Sequence, residues 1–142
     1  MDIGIFGGSF NPIHIGHLIV AEEVFQQRGL SKVIFMPTGI SPHKESSDLI
    51  DSSHRYQMVK SAISDNEHFE VSDIEIKRSG KSYTIDTISI LREIYGEEHN
   101  FYLIMGTDMI NEISTWKDIS ILSGMCRFIM VNRSPIPTNG IS

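Results

Sequence analysis

Apolar residues along the chain fall into short blocks separated by turn-formers. Asp2 to Phe6 is a brief apolar run that stops at Gly7-Gly8, which predicts a buried strand. Leu18, Ile19, Ala21, Val24 and Phe25 then recur at helical spacing, with Glu22, Glu23, Gln26 and Gln27 between them and Gly29 as a stop. Val33 to Met36, closed by Pro37, predicts a second strand, and Thr38 to Ile50, which contains Gly39 and Pro42, predicts a loop. Asp51, Ser52 or Ser53 is placed to cap a helix whose inner residues are Tyr56, Met58, Val59, Ala62 and Ile63. Alternation from Phe69 to Ile76 predicts a strand with one wet face. Beyond a turn at Gly80, Ile85, Ile88, Leu91 and Ile94 step along another helix. Phe101 to Met105 is a strongly apolar strand ending at Gly106. A helical stretch from about Asp108 to Leu122, broken near Trp116, and a last strand at Phe128 to Val131 complete the pattern.

Strands that alternate with helices at these intervals imply crossover connections. The expected fold is therefore α/β: a Rossmann-like, doubly wound, mainly parallel sheet with helices on both faces. At 142 residues the chain suits one compact domain. Composition adds exclusions. With 40% hydrophobic and 21% charged residues it has material for a core, and its net charge of −6 argues against a general nucleic-acid binder. Any phosphate site must then be built locally, from backbone N–H groups and a few cations. Cys126 is the only cysteine, which excludes an intramolecular disulfide and a cysteine metal cluster. No apolar run approaches the roughly 20 residues that cross a bilayer, and the N-terminus lacks a signal-peptide pattern. The expected location is cytoplasmic, with no membrane partner.

The segment richest in chemistry is Gly7-Gly8-Ser9-Phe10-Asn11-Pro12-Ile13-His14-Ile15-Gly16-His17. In a parallel sheet, ligands sit beyond the carboxyl ends of the strands, and the first strand–helix turn is a favoured phosphate site. Paired glycines let the backbone approach a polyanion, and the helix start supplies unpaired N–H groups and a positive dipole end. His14 and His17, three apart, can face the same bound group, with Gly16 removing a side chain from between them. Two imidazoles there suit charge stabilisation in phosphoryl or nucleotidyl transfer. The helix dipole disfavours imidazolium and a triphosphate favours it, so their protonation stays open. A bare tight turn with a capping histidine, or half of a metal site, would use the same residues. Zinc, however, takes three or four protein ligands, and no suitable cluster follows, so no protein-held metal is expected.

This segment resembles the signature of the nucleotidyltransferase superfamily, whose hallmark is His/Thr-x-Gly-His. Three further stretches resemble the bacterial nicotinate mononucleotide adenylyltransferases in order and approximate spacing: Pro37-Thr38-Gly39-Ile40-Ser41-Pro42-His43-Lys44, Ser82-Tyr83-Thr84-Ile85-Asp86-Thr87, and Gly106-Thr107-Asp108 followed by Trp116. The resemblance implies transfer of the adenylyl group of ATP to nicotinate mononucleotide, with Mg2+ arriving on the ATP. His17 and His14 would be catalytic. Gly7, Gly8, Ser9, Phe10, His14, His17, Gly106 and Asp108 would lie on the ATP side, and Lys44, Thr84 and Trp116 on the acceptor side.

Each assignment has an ordinary counterpart. Lys44 is placed to hold a phosphate but equally suits a solvated loop. Thr84 can receive a carboxylate at a helix start or simply cap it. Asp108 can bind ribose hydroxyls or cap the next helix, and Trp116 can stack on a pyridine ring or fill the core. Arg55 and Arg133 are further phosphate candidates that belong to no pattern. Members of the family usually continue into an Ile-Ser-Ser/Thr-x-x-x-Arg motif, whereas this sequence finishes at Gly140-Ile141-Ser142. The expectation is thus a single domain over 1–142, shortened relative to the family after about residue 133. A non-catalytic nucleotide-binding remnant, or an adenylyltransferase for nicotinamide mononucleotide or phosphopantetheine, stays as the alternative.

Overall fold

A computed structural model describes residues 1–8, 10, 12–38, 51–77, 83–96, 98–106 and 113–131. Five strands, β1 (Asp2–Gly8), β2 (Lys32–Pro37), β3 (Phe69–Val71), β4 (Asn100–Gly106) and β5 (Arg127–Val131), form one sheet in the order β3-β2-β1-β4-β5. Every pairing is parallel. Among the described residues, five helices are delimited: α1 (Ile15–Arg28), α2 (Ser52–Ala62), α3 (Ile74–Lys77), α4 (Thr84–Tyr95) and α5 (Ile119–Leu122). The doubly wound expectation is met.

Alternation along the strands sorts side chains into two cores, one on each face of the sheet. Ile3 and Ile5, Ile34 and Met36, and Phe101, Leu103 and Met105 pack with Ile85, Ile88 and Leu91 of α4 and Leu122 of α5. Phe6, Val33, Phe35 and Ile104 pack with Ala21 and Val24 of α1, and with Val59 and Ile63 at α2. That second layer leaves no room for a side chain at Gly4: a Cβ there would meet Leu30 Cδ1 at 2.8 Å and Ile104 Cδ1 at 3.1 Å. α1 stops where expected, at Gly29 with φ 61°.

Three local readings change. The alternation at 69–76 contains only three strand residues, because Ser72 turns the chain into α3. The Ser72 hydroxyl accepts from the Ile74 N–H at 3.3 Å, and Asp73 pairs with Lys77 across one helical turn. Ile19 and Ile94, placed inward by spacing, are 51% and 61% exposed, since each lies past the stripe its helix buries. In α2 the inward residue that spacing missed is Arg55, 1% exposed, while Tyr56, Met58 and Ala62 are half-buried. The break expected near Trp116 is present: residues 114–118 are not helical, and Asp118 at its end has a left-handed backbone with φ 52°. Residues 108–112 lie outside the described residues. None of the described helices is long and apolar enough to cross a membrane.

Candidate active site at the first strand–helix turn

The strand order marks where a ligand belongs. From β1 the chain winds to β2 and β3 on one side, then returns to β4 on the other side of β1 and continues to β5. The outgoing connections of β1 and β4 therefore diverge and leave a crevice at their carboxyl ends. Gly7 and Gly8 close β1 at that edge and Gly106 closes β4, so the topology brings together glycines that lie about a hundred positions apart in the sequence. Ser9 of the same turn, and Asp108 beyond β4, lie outside the described residues, as do Lys44 and Arg133.

Gly7 and Gly16 do different work. A Cβ on Gly7 would meet nothing within 4 Å, and the residue is exposed. Its backbone is not in the left-handed region, so neither packing nor conformation demands glycine there. What the missing side chain preserves is open space in front of the strand end. At Gly16 a Cβ would stand 3.0 Å from both Cε1 and Nδ1 of His14. Gly16 makes room for the neighbouring imidazole, a more local task than clearing a ligand's approach.

That imidazole caps the helix. His14 is extended, at φ −143° and ψ 175°, and its Nδ1 accepts the Gly16 N–H at 3.1 Å. His17, one turn on, accepts the His14 N–H on its own Nδ1 at 3.0 Å. The pair thus forms a reciprocal capping box in which imidazoles replace the usual hydroxyl and carboxylate. An Nδ1 that accepts must present its lone pair, so each ring carries its N–H donor at Nε2. The rings stack with centroids 3.8 Å apart and planes 26° from parallel.

Phe10 fixes the turn from below. It is 3% exposed with φ 46°, a left-handed conformation uncommon for an aromatic residue. Its ring packs against Phe6 at 5.5 Å, Phe35 at 5.6 Å and the edge of His17 at 5.0 Å between centroids. The expected ATP-side role of Phe10 is therefore open only to its backbone, because its side chain belongs to the core. Burial of that ring offsets the cost of the strained backbone, about 1–3 kcal/mol.

The neighbouring rim is tied in. The Thr38 N–H donates to the Gly8 carbonyl at 3.0 Å, and Arg55 Nη1 donates to the Thr38 carbonyl at 2.7 Å. Burial draws the Arg55 guanidinium below its ordinary range, opposed by the carboxylate of Asp51. Asp51 is the residue that caps α2: its side chain accepts from the Ser53 N–H at 3.2 Å and from the Ser53 hydroxyl. Those bonds hold the Asp51 carboxyl below its usual range.

On the other face of the sheet, Thr84 is the first residue of α4. The capping position belongs to Tyr83, which makes no side-chain capping bond. Thr84 is thus not the cap, and the Asp86 N–H at the helix start donates to the Tyr83 carbonyl at 3.1 Å. Trp116 is half-buried against the α4-side core, as is Tyr83. Its indole Nε1 is buried without a hydrogen-bond partner among the described residues. Lys117 Nζ lies 4.9 Å from the centre of the Tyr83 ring, so the sequence neighbours of Thr84 and Trp116 touch. Among the described residues, no three or more His, Cys, Asp or Glu side chains converge as a metal site.

Comparison with known proteins shows the family and the fold. The cytidylyltransferase-like family model matches residues 5–142. The chain is 48% identical over 139 residues to a protein of Thermoanaerobacter sp. (strain X514) named probable nicotinate-nucleotide adenylyltransferase, covering 98% of this chain and 66% of that one. It is 45% identical over 131 residues to the nicotinate-nucleotide adenylyltransferase of Bacillus subtilis (strain 168), covering 92% and 69%. Among solved structures, the Plasmodium falciparum nicotinic acid mononucleotide adenylyltransferase complexed with NaAD superposes with a TM-score of 0.75 at 21% identity, over 97% of this chain and 77% of that one. The likeness at that identity concerns the fold. The chain spans between 63% and 69% of the length of the curated relatives it matches.

Proposed function

The chain belongs to the cytidylyltransferase-like family, and from that premise we propose that it transfers the adenylyl group of ATP to nicotinate mononucleotide, forming nicotinate adenine dinucleotide and releasing pyrophosphate. The observation that carries this reading is the reciprocal cap at His14 and His17, which stacks two imidazoles at the start of α1, in the segment that follows the open strand end at Gly7. The names of the curated relatives support the choice of acceptor.

In this reading the 5′-phosphate of the acceptor attacks the α-phosphorus of ATP in line and displaces pyrophosphate. Both reactants are charged phosphates, so the protein's task is alignment and stabilisation of negative charge. The Nε2–H of His17 serves the α-phosphoryl oxygens, and His14 assists. The backbone at Gly7, Gly8, Ser9 and Phe10 lines the phosphates, while Gly106 and Asp108 face the nucleoside of ATP. Lys44, Thr84 and Trp116 receive the acceptor: the N-terminus of α4, which has no side-chain cap from Tyr83, suits a carboxylate, and the indole face suits a pyridine ring. Mg2+ enters as part of the substrate, bound to the ATP phosphates, where it neutralises charge. The reaction is assigned to the cytoplasm.

The test is pyrophosphate release by this chain from ATP and Mg2+, with nicotinate mononucleotide, nicotinamide mononucleotide or phosphopantetheine in parallel. Product with the nicotinate compound is expected. Turnover only with phosphopantetheine reassigns the acceptor, and MgATP binding without turnover leaves a nucleotide-binding protein.

A further inference from the structure

The buried guanidinium of Arg55 has no part in the chemistry above. We propose that Arg55 is a positioning residue: through Thr38 it holds the β2 rim against the phosphate turn, and so sets the backbone that receives the triphosphate. The proposal rests on reading the β1–α1 turn as the nucleotide site.

Three elements are joined in sequence. Arg55 lies in the first turn of α2, is 1% exposed, and donates from Nη1 to the Thr38 carbonyl at 2.7 Å. Thr38 follows β2 directly and donates its N–H to the Gly8 carbonyl at 3.0 Å. Gly8 and Pro37 are the last residues in register between β1 and β2. Thr38 is therefore gripped on both sides, its N–H by the phosphate turn and its carbonyl by α2.

Space-filling does not account for an arginine here. Burying a guanidinium costs desolvation and side-chain entropy, and an apolar side chain of similar volume usually serves a core as well or better. The Arg55 bond to the Thr38 carbonyl is charge-assisted, and such bonds are shorter and stronger than neutral ones. That bond bears on a glycine of the strand end. Gly8, like Gly7, has no Cβ, so its peptide is freer to rotate than that of a residue with a side chain. A Gly8 carbonyl swung outward would turn its lone pairs toward the phosphates; bound to Thr38, it faces β2. By this route a residue of α2 governs a backbone unit of the β1–α1 turn without touching the ligand.

The test uses the full chain and two variants, R55K and R55Q. Three quantities are measured: thermal stability, hydrogen exchange at the Thr38 amide, and affinity for MgATP beside affinity for adenosine. Adenosine lacks phosphates, so general loosening of the fold weakens both ligands while a misplaced phosphate turn weakens only one. For both variants the expected result is faster Thr38 exchange and MgATP binding weaker by about tenfold, the scale of one lost charged hydrogen bond. Adenosine binding is expected to stay near the parent value. Should R55Q fail to fold, R55K, which keeps the buried charge, decides the matter. Unchanged MgATP affinity, or equal losses for both ligands, overturns the proposal. A parent chain that binds no MgATP overturns the nucleotide reading instead, and that is seen before any variant is made.

Discussion

The imidazole of His17 accepts the backbone N–H of His14 at 3.0 Å while its ring lies stacked on the His14 ring, 3.8 Å between centroids. His14 in turn accepts the Gly16 N–H at 3.1 Å. One pair of side chains thus ends the helix and fixes its own tautomers. Structural and chemical roles share these residues, but substitutions can separate them, because capping uses Nδ1 and the proposed chemistry uses Nε2–H.

Asparagine at position 14 keeps a capping acceptor and lacks the imidazole donor. His14→Asn is expected to leave thermal stability close to the parent, since asparagine is among the best N-caps. His14→Ala should lose roughly 0.5–2 kcal/mol of stability. Both should lower turnover. Calorimetry with a pyrophosphate assay separates the effects, and full turnover in the asparagine variant removes His14 from the chemistry.

For His17→Ala the expected loss is larger. Removing one donor aimed at developing phosphoryl charge should cost about 2.7–4 kcal/mol of transition-state stabilisation, a fall in kcat of roughly 10²–10³, with a smaller change in KM for ATP. Near-normal kcat would sink this role.

Gly16→Ala should move stability and function in opposite directions. Alanine favours the helix by up to about 1 kcal/mol. Its Cβ, however, would stand 3.0 Å from the His14 ring and push that ring from its place. Unfolding curves at or above the parent's, together with reduced turnover, are expected. If turnover is kept, the ring has room to move and its position is less critical than argued.

Gly7→Ala probes the open space directly. Nothing lies within 4 Å of the added methyl, so the unliganded fold should tolerate it. MgATP affinity should fall by about tenfold, comparable to losing one charged hydrogen bond at the turn. Titration calorimetry measures this, and parent-like affinity would mean that the phosphates lie elsewhere.

Cys126 gives a pH prediction. Burial raises its thiol from the ordinary 9.0 to about 11 in the folded chain. The unfolded state releases this proton first, so between about pH 9 and 11 ionisation favours unfolding and stability declines as pH rises. Below pH 9 the full contribution is present. The parent should lose about 2–3 kcal/mol relative to Cys126→Ala across that interval. Parallel denaturant titrations of the two chains check this, and curves that stay a constant distance apart contradict it.

Much of the fold was legible in the sequence because apolar blocks and glycines mark strand ends with little ambiguity: Gly8, Gly29 and Gly106 all fall at or beside the expected boundaries. The motif at 7–17 likewise places both histidines correctly at a helix start. What spacing could not supply was the bonding within that motif. A histidine carries three possible roles, and only coordinates reveal that both Nδ1 atoms are committed to backbone N–H groups. Phe10 reads as a loop residue, but its ring turns into the core because the turn adopts a left-handed step there. Arg55 was hidden for a different reason: it donates to the carbonyl of Thr38, and main-chain acceptors leave no trace in residue type.

The most direct test follows the histidine ring nitrogens by NMR as MgATP is added to the full chain. The account predicts that the Nε2 signals of His14 and His17 shift and saturate together, while those of His54, His68 and His99 hold their positions. Saturable MgATP binding that leaves the His14 and His17 ring signals unmoved would contradict it.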